Sequence, residues 1–194
     1  MRKLLPVLLI LCAGAAWGQS GELWFDAGAS ILSNNGIGSS SPAGTPNDIK
    51  LDNGFRFGFR FGINSSRFFG HEVQYAYSRT HLLSSGVDAG GMGIHTGGYN
   101  FLGYGMPEGS RIRLFGTAGV HFSNFVPPGS SALSGGGTTK FGINYGAGVK
   151  VKLTSLWAAR FDIRRYETPK PFDLFQQQGW LHQTEVSTGV GFLF

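Results

Sequence analysis

The chain is short of cysteine, of charge and of long apolar runs, and each shortage excludes something. Its single cysteine is Cys12, so residues 19–194 hold none. Disulfide staples, thiolate metal sites and a cysteine nucleophile are therefore excluded beyond that point. A lipoprotein reading of Cys12 needs a small residue before it, and Leu11 is not one. Charged residues make up only 14% of the sequence, and its Lys and Arg are scattered singly, without a basic cluster or stripe. A pI near 9.6 without such a stripe does not make a nucleic-acid binder, so no nucleic-acid partner is expected. The longest apolar run, residues 4–11, holds Pro6 and falls well below the roughly 20 residues of a membrane-spanning helix. Segments with helical periodicity are missing as well.

What is present starts with the N-terminus. Met1-Arg2-Lys3, a short apolar stretch, and small residues at Ala16 and Gly18 make up a secretory signal peptide over residues 1–18, with cleavage near Gly18/Gln19. Residues 19–194 are then one domain, and losing Arg2 and Lys3 lowers the formal charge from +5 to +3. The composition includes 32 Gly and 17 Phe, which with the lack of helical periodicity predicts many strands.

Period-2 alternation marks eight strand candidates, at residues 22–31, 55–64, 69–79, 91–104, 111–122, 141–152, 157–166 and 184–194. The second is the clearest. Phe55, Phe57, Phe59, Phe61 and Ile63 share one face, and Arg56, Gly58, Arg60, Gly62 and Asn64 share the other. The fourth is weak, with an ambiguous phase around Tyr99-Asn100-Phe101. Between the strands, long polar connections (33–53, 82–89, 124–139, 167–180) alternate with short ones (65–68, 105–110, 153–156). Short turns at one end and longer loops at the other are the layout of an outer-membrane barrel.

The polar faces carry nearly all the strand charge: Glu22, Asp26, Glu72, Asp162 and Glu185 against Arg56, Arg60, Arg113, Lys150, Arg160 and Arg164. An unpaired Arg or Lys on the lipid face of a barrel costs about 2–4 kcal/mol at the midplane. Phe55 to Phe61 are therefore expected to face lipid, and the eleven charges to form an ion-pair network in the lumen. A soluble lipocalin-like barrel would invert this, burying four phenylalanines while exposing Arg and Gly. Eight strands leave an interior about wide enough for side chains, and inward glycines make room for long arginines. Aromatics at strand ends (Phe69, Tyr104, Trp157 and Phe194; Phe55, Tyr77, Phe141 and Tyr166) match interfacial girdles.

The last strand carries a resemblance. Ser187-x-Gly189-x-x-Phe192-x-Phe194 resembles the C-terminal signal of bacterial outer-membrane β-barrels, which the barrel-assembly machinery reads. With the signal peptide, strand count and loop alternation, residues 19–194 resemble the small eight-stranded outer-membrane barrels, the OmpA transmembrane-domain and OmpX-like group. That resemblance implies an all-β, eight-stranded antiparallel up-and-down transmembrane β-barrel in the outer membrane. It implies contact with outer-membrane lipid, passage through the secretion and barrel-assembly machinery, a monomer, and no cofactor. The group does not share one activity.

Three functional readings stay open. The first is a non-enzymatic envelope protein whose extracellular loops meet a ligand, foremost at 167–180 with Phe172, Phe175 and Trp180. The second is a narrow lumen channel whose selectivity depends on Arg56 and Arg60. The third rests on His121-Phe122-Ser123-Asn124, which resembles the His-x-Ser-Asn signature of lipid A deacylases. That signature belongs near the C-terminus on the lipid face, whereas here its phase points inward. His71, His81, His95 and His182 lack metal-ligand spacing, and Gly135-Gly136-Gly137 lacks the Gly-Lys-Ser/Thr of a phosphate cradle. No metal site and no catalytic residue are expected.

Overall fold

The computed structural model describes residues 20–132 and 135–194; the expected signal peptide lies outside them. Its strands are β1 (Gly21–Ser33), β2 (Gly36–Gly38), β3 (Ile49–Leu51), β4 (Gly54–Asn64), β5 (Phe69–Ser84), β6 (Val87–Tyr104), β7 (Ile112–Val126), β8 (Thr138–Lys152), β9 (Trp157–Pro169) and β10 (Trp180–Leu193). All except β2 and β3 form a closed, antiparallel, up-and-down barrel of eight strands, each paired with its neighbour along the chain. The first and last strands complete the ring, in register from Glu22 opposite Leu193 to Ser33 opposite His182. At the seam the Gly21 amide donates to the Phe194 carbonyl (2.7 Å) and the Phe194 amide donates back to Gly21 (3.0 Å). The terminal motif is thus the strand that closes the barrel.

The alternation read from the sequence is the alternation of the wall. Arg56 and Arg60 are 1% exposed, while Phe55, Phe57 and Phe59 are about half exposed. A continuous outer belt of such rings requires an apolar solvent, and the lipocalin-like inversion does not occur. Tyr104 and Tyr166 do not belong to the girdles. Both are buried in the lumen, in phase with Asn100 and Arg164. Phe69, Trp157, Phe194, Phe55 and Phe141 do lie on the outer face.

The fourth barrel strand, β6, has one phase throughout, with Met92, Ile94, Thr96, Asn100, Leu102 and Tyr104 buried and Tyr99 and Phe101 outside. It also begins earlier than its alternation shows. The stretch 82–89 is not a loop: β5 and β6 continue to a two-residue turn at Ser85-Gly86, both at positive φ (50° and 80°). Two successive left-handed residues are what a type I′ hairpin turn needs. At 16 and 18 residues, these strands exceed the 9–11 or so that cross a bilayer, so the hairpin stands above the wall.

The polar stretch 33–53 is also partly ordered as sheet. β3 adds to the projecting edge of β5, with Leu51 opposite Leu82, and β2 adds to β3. A Ser39–Phe175 bridge then ties this loop to the 170–179 loop. Loops at this end therefore fold over the mouth.

Candidate functional site: the barrel interior

From the turn end to the loop end, the lumen holds four tiers of different chemistry. The lowest is aromatic and cationic. Trp24 donates its indole N–H to Glu22 (2.8 Å), Glu22 also pairs with Lys150, and the Lys150 ammonium donates to the Tyr104 hydroxyl (2.7 Å). Gly191 is the cross-strand neighbour of Trp24. A Cβ there would sit 2.4 Å from the indole, so only glycine lets that ring lie against the wall.

The second tier is a closed set of four acids and four arginines. Arg60 reaches Asp26 (2.9 Å) and Glu185 (2.5 Å), with Asp162 at 3.4 Å. Glu72 takes Arg160 (2.6 Å) and Arg164 (2.8 Å). Asp162 takes the same two arginines on its two oxygens (2.5 and 2.7 Å). Arg56 pairs with Glu185 at 3.0 Å. All eight are buried, on five strands (β1, β4, β5, β9 and β10), and they meet both between neighbouring strands and across the lumen. Gly146 stands opposite Arg164, and a Cβ there would meet the Arg164 Cγ at 2.9 Å, so this inward glycine does make room for an arginine.

Ten of the eleven charges expected in the network are in ion pairs. Arg113 is not. It points inward, but no carboxylate of the described residues lies within 4.0 Å. Its guanidinium lies over the Tyr104 ring (3.6 Å) and donates to the Arg67 carbonyl (3.2 Å). The reason is position: Arg113 is the second residue of β7, below the four-acid tier and level with Lys150, which already takes Glu22.

Several members of the network are polar but uncharged. The Tyr166 hydroxyl accepts from Arg56 (3.0 Å) and donates to Glu185 (2.9 Å), and Gln74 accepts from Arg164 (3.0 Å). Ser187, placed by the sequence in the terminal motif, donates to Glu185 (2.7 Å) and serves the lumen. Gly189 also faces inward, where a Cβ would meet the Phe25 carbonyl at 2.5 Å. Phe192 and Phe194 lie outside, against each other and against Trp157 and Phe61. The inward phase of Tyr166 and Gln74 was legible as a signal for the two missed members.

The third tier is neutral. His121 pairs with the Thr168 hydroxyl (2.8 Å), and Ser123 with the Thr96 hydroxyl (3.2 Å). The His-x-Ser-Asn stretch is thereby split. His121 and Ser123 are buried in the lumen on separate partners, and Asn124 is bonded to Thr139 at the rim.

The fourth tier is apolar. Leu32, Ile37, Leu51, Met92, Ile94, Phe125 and Leu181 form one buried cluster, with Phe172 and Leu174 packed on it. Gln177 holds the lid through the carbonyls of Ile37, Pro171 and Phe172 (2.7–2.9 Å), and the Lys170 ammonium donates to the Gly36 carbonyl. Lys170 is buried with no carboxylate of the described residues within 4.0 Å, and that burial lowers its pKa. Around this end five acids (Asp48, Asp52, Asp88, Glu167, Asp173) accompany five bases (Lys50, Arg79, Lys140, Arg165, Lys170).

The outward histidines are occupied. His71 bonds the Tyr99 hydroxyl (2.6 Å) and His95 the Tyr75 hydroxyl (2.7 Å), while His81 pairs with Asp88 and His182 with Glu167. Among the described residues no group of three His, Cys, Asp or Glu could hold a metal ion.

Residues 4–194 match the model of the outer membrane protein beta-barrel domain family, and the chain belongs to that family. Its place is the outer membrane, with the short turns periplasmic and the loops extracellular. Similar solved structures include Neisserial surface protein A (16% identity, TM-score 0.63, covering 90% of this chain and 97% of that one). The outer membrane protein OprG from Pseudomonas aeruginosa is 14% identical with a TM-score of 0.59, over 90% and 96% of the two chains. Ail, the attachment invasion locus protein of Yersinia pestis, solved with the heparin analogue sucrose octasulfate, is 14% identical with a TM-score of 0.53, over 91% and 99%. At these identities the likeness is one of fold. Comparison with curated proteins gives no match.

Proposed function

We propose that this barrel is a non-enzymatic surface protein that neither conducts nor catalyses and acts through its folded extracellular end. The observation that carries this is the filled lumen. A path through it would have to cross both the ion-pair tier and the apolar plug, each built of side chains nearly inaccessible to solvent. His121 and Ser123 face the lumen on separate partners, so the His-x-Ser-Asn stretch gives no support to lipid hydrolysis. The barrel leaves no unpaired wall edge, which favours a monomer.

The 170–179 loop divides in two. Phe172 turns into the plug, whereas Phe175 and Trp180 stay about half exposed and are the better candidates for contact with an extracellular partner. Sulfated polysaccharide is disfavoured as that partner, because five acids balance the five bases around the loops. The exposed Phe192 and Phe194 at the periplasmic rim support recognition of the last strand by the assembly machinery.

The test is single-channel recording of the refolded protein in a planar bilayer, once a heat-dependent gel shift shows that it has folded. A silent bilayer is expected. Discrete openings that alter with Arg56→Gln or Arg60→Gln would establish the channel instead.

A further inference from the structure

The charges of residues 20–194 are not evenly distributed. The central tier holds four acids and four arginines, and the extracellular end five of each sign. The remainder lie at the periplasmic mouth: Arg67, Arg111, Arg113, Lys150 and Lys152 against Glu22 and Glu108. The entire excess of three positive charges is therefore at that one end.

A cavity of about 360 Å³ opens at this mouth. Arg113, Lys150 and Lys152 line it against the carboxylates Glu22 and Glu108, with the hydroxyls of Ser110 and Ser155 between them, and the apolar rim residues Leu156 and Phe194 complete its edge. Arg113 is 6% exposed and pairs with no carboxylate of the described residues. Its Nη2 is committed to the Arg67 carbonyl, its Nε is enclosed without a partner, and its Nη1 donates to no described group. A buried guanidinium in that condition is costly unless an anion joins it. Stacking on Tyr104 fixes its plane, so the fork is oriented before any ligand arrives. Lys150 is already committed to Glu22 and Tyr104. Lys152, half-buried at the rim, has no carboxylate within 4.0 Å among the described residues.

We propose that this mouth binds a phosphate group. Several acceptor oxygens on one charged centre match the Arg113 fork, the Lys152 ammonium and the two serine hydroxyls together. The rim explains where the rest of a ligand would go. Leu156 and Phe194 are about half exposed or more at the level of the inner leaflet, where they would meet the acyl chains of an anionic phospholipid. The same chemistry would also accept free periplasmic phosphate.

The experiment is a titration of the refolded protein in an uncharged, phosphate-free detergent, followed by the amide NMR shifts of Gly109, Ser110, Arg113 and Ser155. One arm uses short-chain phosphatidylglycerol and the other inorganic phosphate. Saturable shifts confined to these residues are expected. Arg113→Gln should weaken binding about tenfold or more, the effect of losing one hydrogen bond to a charged group. Lys152→Gln should weaken it by a smaller factor, and Glu108→Gln should strengthen it. Saturation by the lipid alone identifies a headgroup site, and saturation by both identifies a phosphate site that needs no acyl chain. If Arg113→Gln fails to fold, Lys152→Gln at the rim carries the test. Absence of saturable shifts with either ligand, or equal affinity in the variants that fold, overturns the proposal.

Discussion

The middle and the extracellular top of this lumen are built on the same wall, yet they are filled in opposite ways. The middle joins eight charges by geometry. Asp26, Glu72 and Glu185 must each meet particular arginines from other strands, so a slip of one residue in those registers would leave charge unpaired in a dry interior. The top joins apolar side chains from five barrel strands and two loops, none of which needs one specific partner. The first arrangement fixes register, and the second fixes the loops over the mouth. The difference shows how one barrel can be tightly specified within the membrane and still vary its surface.

Removing one partner from the middle should have the largest effect. Arg60→Met leaves Asp26 and Glu185 short of a cation, and breaking such a buried set costs about 3–5 kcal/mol. Urea unfolding of the protein in bilayers should show a loss of that order. A loss below 1 kcal/mol would mean that water reaches the tier. At the top, Met92→Ala should cost about 2 kcal/mol, the lower end for large-to-small core changes. Its main effect should be local: faster proteolytic nicking within residues 34–53, with little change in the urea midpoint of the barrel. If both transitions move together, the two regions are one cooperative unit and the contrast between them fails.

Lys170 sharpens the contrast through pH. Burial lowers its pKa, so the unfolded loop binds the proton more readily than the folded one. Plug stability should therefore rise with pH between that lowered value and the ordinary lysine value of about 10.4, where the penalty disappears. Nicking within 34–53 should slow over that window in the wild type and stay flat in Lys170→Met. The smallest effect is expected at Asp88, exposed and paired with His81. Asp88→Asn should change stability by no more than about 0.5 kcal/mol, as read by the same urea titration.

Most of the wall was legible in the sequence, because the period-2 pattern and the cost of charge in lipid both act locally. The inward set was legible for the same reason, down to Arg56 and Arg60. Pairing was not. Phase says that Arg113 points inward, but only the strand register shows that it lies below the four-acid tier, level with the Lys150 that takes Glu22. The plug was half visible. Leu32, Ile94, Phe125 and Leu181 share the inward phase of Ser30, Asn100, His121 and Glu185, which marks apolar residues where polar ones were expected. What covers them was hidden, since Ile37, Ile49 and Leu51 sit singly in a polar stretch and gain meaning only when the loop folds back. Positive φ at Ser85 and Gly86 likewise turns an apparent loop into a hairpin.

The central claim, a lumen closed from both sides, is tested most directly at Ser123. This residue lies between the ion-pair tier and the plug and is 2% exposed. With Cys12 replaced, Ser123→Cys gives the chain a single thiol, and Ser85→Cys at the exposed hairpin serves as the control. In proteoliposomes, a membrane-impermeant thiol reagent added to either face should label Cys at 85 when that face is the extracellular one. It should leave Cys at 123 unlabelled until the protein is boiled in detergent. Labelling of the buried thiol in the folded barrel, from either side and at a rate near that of the control, would mean an open lumen and would contradict the account.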